Sequence, residues 1–131
     1  QKISHSQLDN IQISICNPSS YRNISFGSPQ KGLVNNMTLL KCSGVLTFQS
    51  SKAMVKRFNE FDSDSGLVVI DLYEILMIDE NIAMGLSEII DLCHENGQTI
   101  HVIAKETPTF DMLEKMHVMK RIKAENIHLN F

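Results

Sequence analysis

Residues 67–97 read LVVIDLYEILMIDENIAMGLSEIIDLCHENG, and this stretch decides the fold. Leu67-Val68-Val69-Ile70, running on to Asp71-Leu72, is short, rich in β-formers and bounded by Gly66. Such a run reads as a strand buried on both faces. A second apolar knot, Ile75-Leu76-Met77-Ile78, stops at Asp79-Glu80-Asn81. There the period changes. Ile82, Leu86, Ile89 or Ile90 and Cys93 recur at steps of three and four, which places them on one face of a helix. Glu88, Asp91 and Glu95 fall largely off that stripe, and Asn96-Gly97 closes the helix with a glycine suited to a left-handed residue. Ile100 to Ile103 then reads as another buried strand. A strand–turn–helix–strand unit makes a right-handed crossover between parallel strands. Residues 67–72 and 100–103 are therefore expected side by side.

The rest of the chain bounds this unit. At 131 residues it is one domain, long enough to bury a core of its own. Its 43% apolar and 21% charged content are globular values, so disorder is not expected. Twelve basic against 15 acidic residues give a net charge of -3 and no basic stripe, which speaks against nucleic acid as a partner. Lys120-Arg121-Ile122-Lys123 reads as the solvated end of a helix. Cys16, Cys42 and Cys93 are too few and too far apart for a disulfide framework or a zinc site, and Cys42 and Cys93 read as small core residues. No apolar run approaches the ~18 residues that span a bilayer as a helix. Gln1, not Met, comes first, which suggests a processed or excised segment.

Residues 1–36 read as an extension or linker, with a strand over 11–16 where Ile11, Ile13 and Ile15 alternate with Gln12 and Ser14. From Asn17 to Asn36 the composition is that of a loop, which Tyr21, Ile24 and Phe26 can pin to the domain. The domain proper is expected over 37–131. Met37–Cys42 and Val45–Phe48 read as two strands of an antiparallel hairpin turning at Ser43-Gly44. Ser50-Ser51 reads as the cap of a helix that buries Ala53, Met54, Val55, Phe58 and Phe61. After the strand at 100–103, Thr107 and Pro108 start a helix carrying Met112, Leu113 and Met116 on its buried face. Ile127, Leu129 and Phe131 alternate as a last strand.

Few residues offer chemistry. Asp71 is expected near the carboxyl end of the central strand, where open α/β sheets place ligands. Asp79 and Glu80, at a helix start, complement free N–H groups and the positive end of the dipole. Two carboxylates there repel phosphate, and no glycine-rich phosphate loop precedes them, so a nucleotide is not favoured. The five histidines form no HxxxH pair, although His101 and His128 fall on neighbouring strands. No triad spacing supports acid–base catalysis, and no cofactor or metal is expected. Met54, Met84, Met112 and Met116 read as gap-filling core. Gly85 costs about 1 kcal/mol inside a helix, which a close helix–sheet approach or a contact with a partner would explain.

With these residues in place the pattern resembles the STAS domain, named for sulfate transporters and anti-sigma factor antagonists. The resemblance runs from about Met37 to the end and rests on VVIDL and MID, at Asp71 and Asp79, on the helix after them and on TIHVIAK. In the antagonists a D-S-S-G element carries a phosphorylatable serine. Here that phosphoserine-equivalent position is Asn81, which has no hydroxyl to accept phosphate, and Ile82 stands in place of the glycine. GVLTFQSSKAMVKRF and YRNI at Tyr21–Ile24 are instead similar to the carboxyl-terminal domain of SulP anion permeases. The resemblance implies an α/β fold with a small mixed β-sheet, an antiparallel pair first and parallel βαβ units after it, flanked by helices. It implies no enzyme. It implies a cytoplasmic regulatory domain of a plasma-membrane transporter for sulfate, bicarbonate or a related anion. The partner would be the transmembrane domain of the same transporter, a cytoplasmic protein or a second copy, met through Asp79, Glu80, Asn81 and Met84. The alternatives are a free-standing antagonist-like signalling protein and a nucleotide- or anion-binding module.

Overall fold

A computed structural model describes residues 10–21, 23–26, 36–61 and 65–130. Among them are strands β1 (Ile11–Cys16), β2 (Met37–Leu46), β3 (Leu67–Ile78), β4 (Thr99–Ala104) and β5 (Ile127–Leu129). The helices are α1 (Phe48–Glu60), α2 (Glu80–Glu95) and α3 (Pro108–Lys115), with 3-10 turns at Pro18–Ser20 and Ala124–Asn126. The five strands form one sheet in the order β1-β2-β3-β4-β5, with β1 antiparallel to β2 and every later pair parallel. β3 and β4 are neighbours, as the crossover unit requires.

Alternation along β3 divides the core. Val68, Ile70 and Leu72 join Met54 and Phe58 of α1, Ile82, Leu86 and Ile89 of α2, and Phe110 and Leu113 of α3. Leu67 and Val69 face the other way and pack with Ile24, Met37, Leu39 and Ile103. The three helices thus cover one face of the sheet, and segment 21–26 lies on the opposite face, held by Ile24 and the partly buried Tyr21 and Phe26. The sequence reading of those three residues as pins is borne out.

Four readings are corrected. Residues 37–46 form one strand and make no hairpin at Ser43-Gly44; the antiparallel partner of β2 is β1. Gly44 has φ +72 and lies where the pairing with β3 slips, so its conformational freedom serves a bulge and not a turn. Residues 67–78 likewise form a single strand of 12 residues, which puts Asp71 in its middle and not at its carboxyl end. The helix after β2 begins at Phe48 from an N-cap Thr47 that makes no side-chain cap bond, so Ser50 and Ser51 lie buried inside it. The basic run 120–123 is a turn beyond α3, with Ile122 buried and Arg121 paired to Asp91 at 2.7 Å.

The caps of the other two helices follow the sequence. Asp79 caps α2, its carboxylate accepting from the Ile82 N–H at 3.1 Å. Thr107 caps α3, accepting from Phe110 N–H at 3.2 Å, with Pro108 in the first turn. α2 ends in a Schellman motif: Gln98 N–H reaches the Cys93 carbonyl at 2.9 Å and Gly97 N–H the His94 carbonyl at 3.1 Å. Gly97 has φ +71, which no other residue adopts as cheaply.

Candidate functional site

β4 pairs with β3 only from Leu67 to Asp71, and β1 pairs with β2 only as far as Cys42. The carboxyl ends of β2 and β3 therefore run on past their outer neighbours as a two-stranded ribbon. The pairing slips twice along that ribbon, from Lys41–Asp71 to Ser43–Glu74 and from Gly44–Ile75 to Val45–Met77, each time with one extra residue in β3. The slips swing side chains out of the core register. Leu46 and Ile78, paired at the tip, stay buried, whereas Val45, Met77 and the 75% exposed Leu76 face outward. The apolar knot 75–78 is thus only partly buried, because a 12-residue strand outruns a six-residue neighbour.

α2 starts where this ribbon ends. Asp79 is committed to its cap, Glu80 is exposed in the first turn, and the Asn81 carbonyl accepts from the Ser51 hydroxyl at 2.7 Å. One turn on, Met84 is 64% exposed, so it is not the gap-filling core residue expected. Gly85 is buried beneath it. A Cβ at Gly85 would lie 2.7 Å from Ser51 Oγ, 3.0 Å from Met54 Cε and 3.3 Å from Val55 Cγ2. The glycine thus serves packing, but of α2 on α1 and not of α2 on the sheet. Between the two helices runs a groove of about 520 Å³, with Phe48, Lys52, Val55, Lys56, Met84 and Glu88 among its walls. Its floor is apolar and its rim carries both charges, with the Lys52 ammonium 5.1 Å from the centre of the Phe48 ring. Asp79, Glu80, Asn81 and Met84 thus share the start of α2, at the end of a ribbon that exposes Val45, Leu76 and Met77, and Asn81 and Met84 line the groove with exposed Phe48. The arrangement suits the burial of apolar surface against another molecule, with carboxylates to orient it.

The remaining candidates lie elsewhere. Asp71 is buried on the face opposite the helices, where it accepts from the Tyr21 hydroxyl at 2.6 Å and from the Tyr73 N–H at 3.0 Å. Burial first, and the Asp71 carboxylate second, hold the Tyr21 hydroxyl well above the usual phenol range. Arg22, next to Tyr21 in the YRNI element, lies outside the described residues, as does His5. Burial pushes the thiols of Cys42 and Cys93 up to about 12, so both are inert core groups. His94 is exposed, its ring nitrogen 3.1 Å from the Arg121 carbonyl. His101 and His128 do meet across β4 and β5, ring nitrogen to ring nitrogen at 2.9 Å. Among the described residues no three His, Cys, Asp or Glu side chains are grouped to hold a metal ion.

A mixed five-stranded sheet, helices on one face and an acid-capped helix after the central strand make this a STAS fold. The chain is similar to the solved STAS domain of a SulP transporter from Vibrio cholerae, with a TM-score of 0.52 and 14% identity over 65% of this chain and 71% of that one. At that identity the likeness establishes the fold. No family model matches the chain, and no curated protein matches it.

Proposed function

We propose that this chain is the regulatory and interaction domain of a SulP-type secondary anion transporter, working by protein contact and not by catalysis. The observation that carries the reading is exposed apolar side chains flanking the head of α2: Phe48 and Met84 on the groove, and Val45, Leu76 and Met77 on the ribbon that leads to Asp79 and Glu80. Surface of this kind marks a contact site in a small domain. The occupant proposed is the transmembrane domain of the same transporter, which would hold the domain on the cytoplasmic side of the membrane. No helix among the described residues is long and apolar enough to cross a membrane.

Two experiments test this. The reading frame upstream of Gln1 is expected to encode about ten or more apolar spans of helical length; a frame without them refutes the transporter assignment. Calorimetric titration of the domain against the solubilised membrane part is expected to show weakened binding in Asp79→Lys/Glu80→Lys, with unchanged circular dichroism. Equal binding by the variant removes this surface from consideration.

A further inference from the structure

His101 on β4 and His128 on β5 stand in neighbouring strands, and their ring planes differ by only 6°. Their centroids are 5.1 Å apart while Nδ1 of His101 lies 2.9 Å from Nε2 of His128. That separation matches the N···N distance plus one ring radius on each side. The rings therefore meet edge to edge in a common plane, which is hydrogen-bond geometry and not face stacking.

The proton count then limits what the pair can hold. A neutral imidazole has one donor and one acceptor nitrogen. Between the two facing nitrogens of a neutral pair one ring therefore donates and the other accepts. Half-buried His128 and fully buried His101 are linked in this way on the face where segment 23–26 lies. Phe26 also sets its ring edge-on to His101, at 5.1 Å and 74°. A first proton fits on the outer nitrogen of His128 and leaves the link intact. A second leaves a proton on each of the two facing nitrogens, and these meet head-on.

We propose that the His101–His128 pair is a proton-operated latch that holds segment 23–26 against the open face of the sheet. The latch is closed while His101 is neutral, and the second proton parts the rings and frees Phe26. Burial, with the His128 charge added, keeps His101 down at about 4, so opening belongs to acid solution. The titratable groups around the latch are Cys16 beside β2, Tyr21 with the carboxylate of Asp71, and Tyr73 with Lys105 above its ring. Tyr21–Asp71 anchors the same segment a few residues earlier, so Asp71→Asn serves as the control.

Amide exchange of the whole chain between neutral pH and about pH 4 tests this. Protection at Ile24 to Phe26 is expected to fall in acid roughly tenfold or more beyond the loss that the β3 and β4 amides show as global stability drops. Asp71→Asn is expected to show the same excess. In His128→Gln the side-chain amide can donate to His101 when it is neutral and turn its oxygen to it when charged, so the excess should vanish. A fall no larger than that of the sheet in the wild type, or an undiminished excess in His128→Gln, overturns the proposal.

Discussion

Replacing Gly85 by Ala ought to stabilise an ordinary helix, because glycine in a helix interior costs about 1 kcal/mol relative to alanine. Here the opposite is expected. The new methyl would stand 2.7 Å from Ser51 Oγ, closer than carbon and oxygen can approach, and 3.0 Å from Met54 Cε. Ser51 cannot retreat freely, because its hydroxyl donates to the Asn81 carbonyl at 2.7 Å. Breaking that bond costs about 1 kcal/mol, and crowding a packed helix pair costs about 1–3 kcal/mol more. The propensity gain offsets about one of these, leaving Gly85→Ala less stable by about 1–3 kcal/mol. Urea unfolding followed by circular dichroism measures it. The Ser51→Ala/Gly85→Ala double variant removes the hydroxyl that the methyl strikes. It should lose less stability than the two single losses together, with a coupling of about 1 kcal/mol. A Gly85→Ala protein as stable as the parent, or strictly additive variants, would refute the close α1–α2 approach.

Other consequences can be measured with the same equipment. Asp79→Ala removes the cap of α2 and should lower stability by about 1 kcal/mol, whereas Asp79→Asn or Asp79→Ser should recover most of it; equal losses in all three would show that the cap bond contributes nothing. His101 is held at about 4 in the folded protein against an ordinary 6.5, so on acidification the unfolded chain takes up its proton first. Stability should therefore fall as pH drops from about 6.5 towards 4, by about 2–3 kcal/mol from this group; a His101→Phe protein with an unchanged pH slope would contradict that. Tyr21→Phe leaves the buried Asp71 without its 2.6 Å donor and should cost about 1–3 kcal/mol in thermal or urea melts, whereas a neutral effect would mean that solvent already reaches the carboxylate.

Much of this fold is legible because its central unit is locally consistent. The switch from β-runs to a three-and-four period, the acid cap and the closing glycine each point to the same crossover. The two edges of that unit were harder. Met37–Leu46 looks like a hairpin because Ser43-Gly44 is a turn signal, and nothing local reveals that the positive φ of Gly44 serves a bulge in a continuous strand. The exposure of Leu76 and Met77 is not legible, because apolarity is local while exposure depends on where neighbouring strands stop. Met84 reads as core because it is apolar, although it lies on the side of α2 away from the buried stripe, where the groove beside α1 leaves it open. For the candidate site, the residues at the helix head could be read from sequence as caps; the apolar ribbon that makes them a surface could not. The meeting of His101 and His128 was visible as a strand placement, but its hydrogen bond was not.

The most direct test of the surface is a photo-reactive side chain placed at Met84 in the full-length protein that the proposed transporter assignment implies, with one at exposed Glu125 as the comparison. Cross-links to the membrane part are expected from position 84 and not from position 125. Equal labelling from both positions, or none from 84 under conditions where the domain stays attached, would contradict docking through the head of α2.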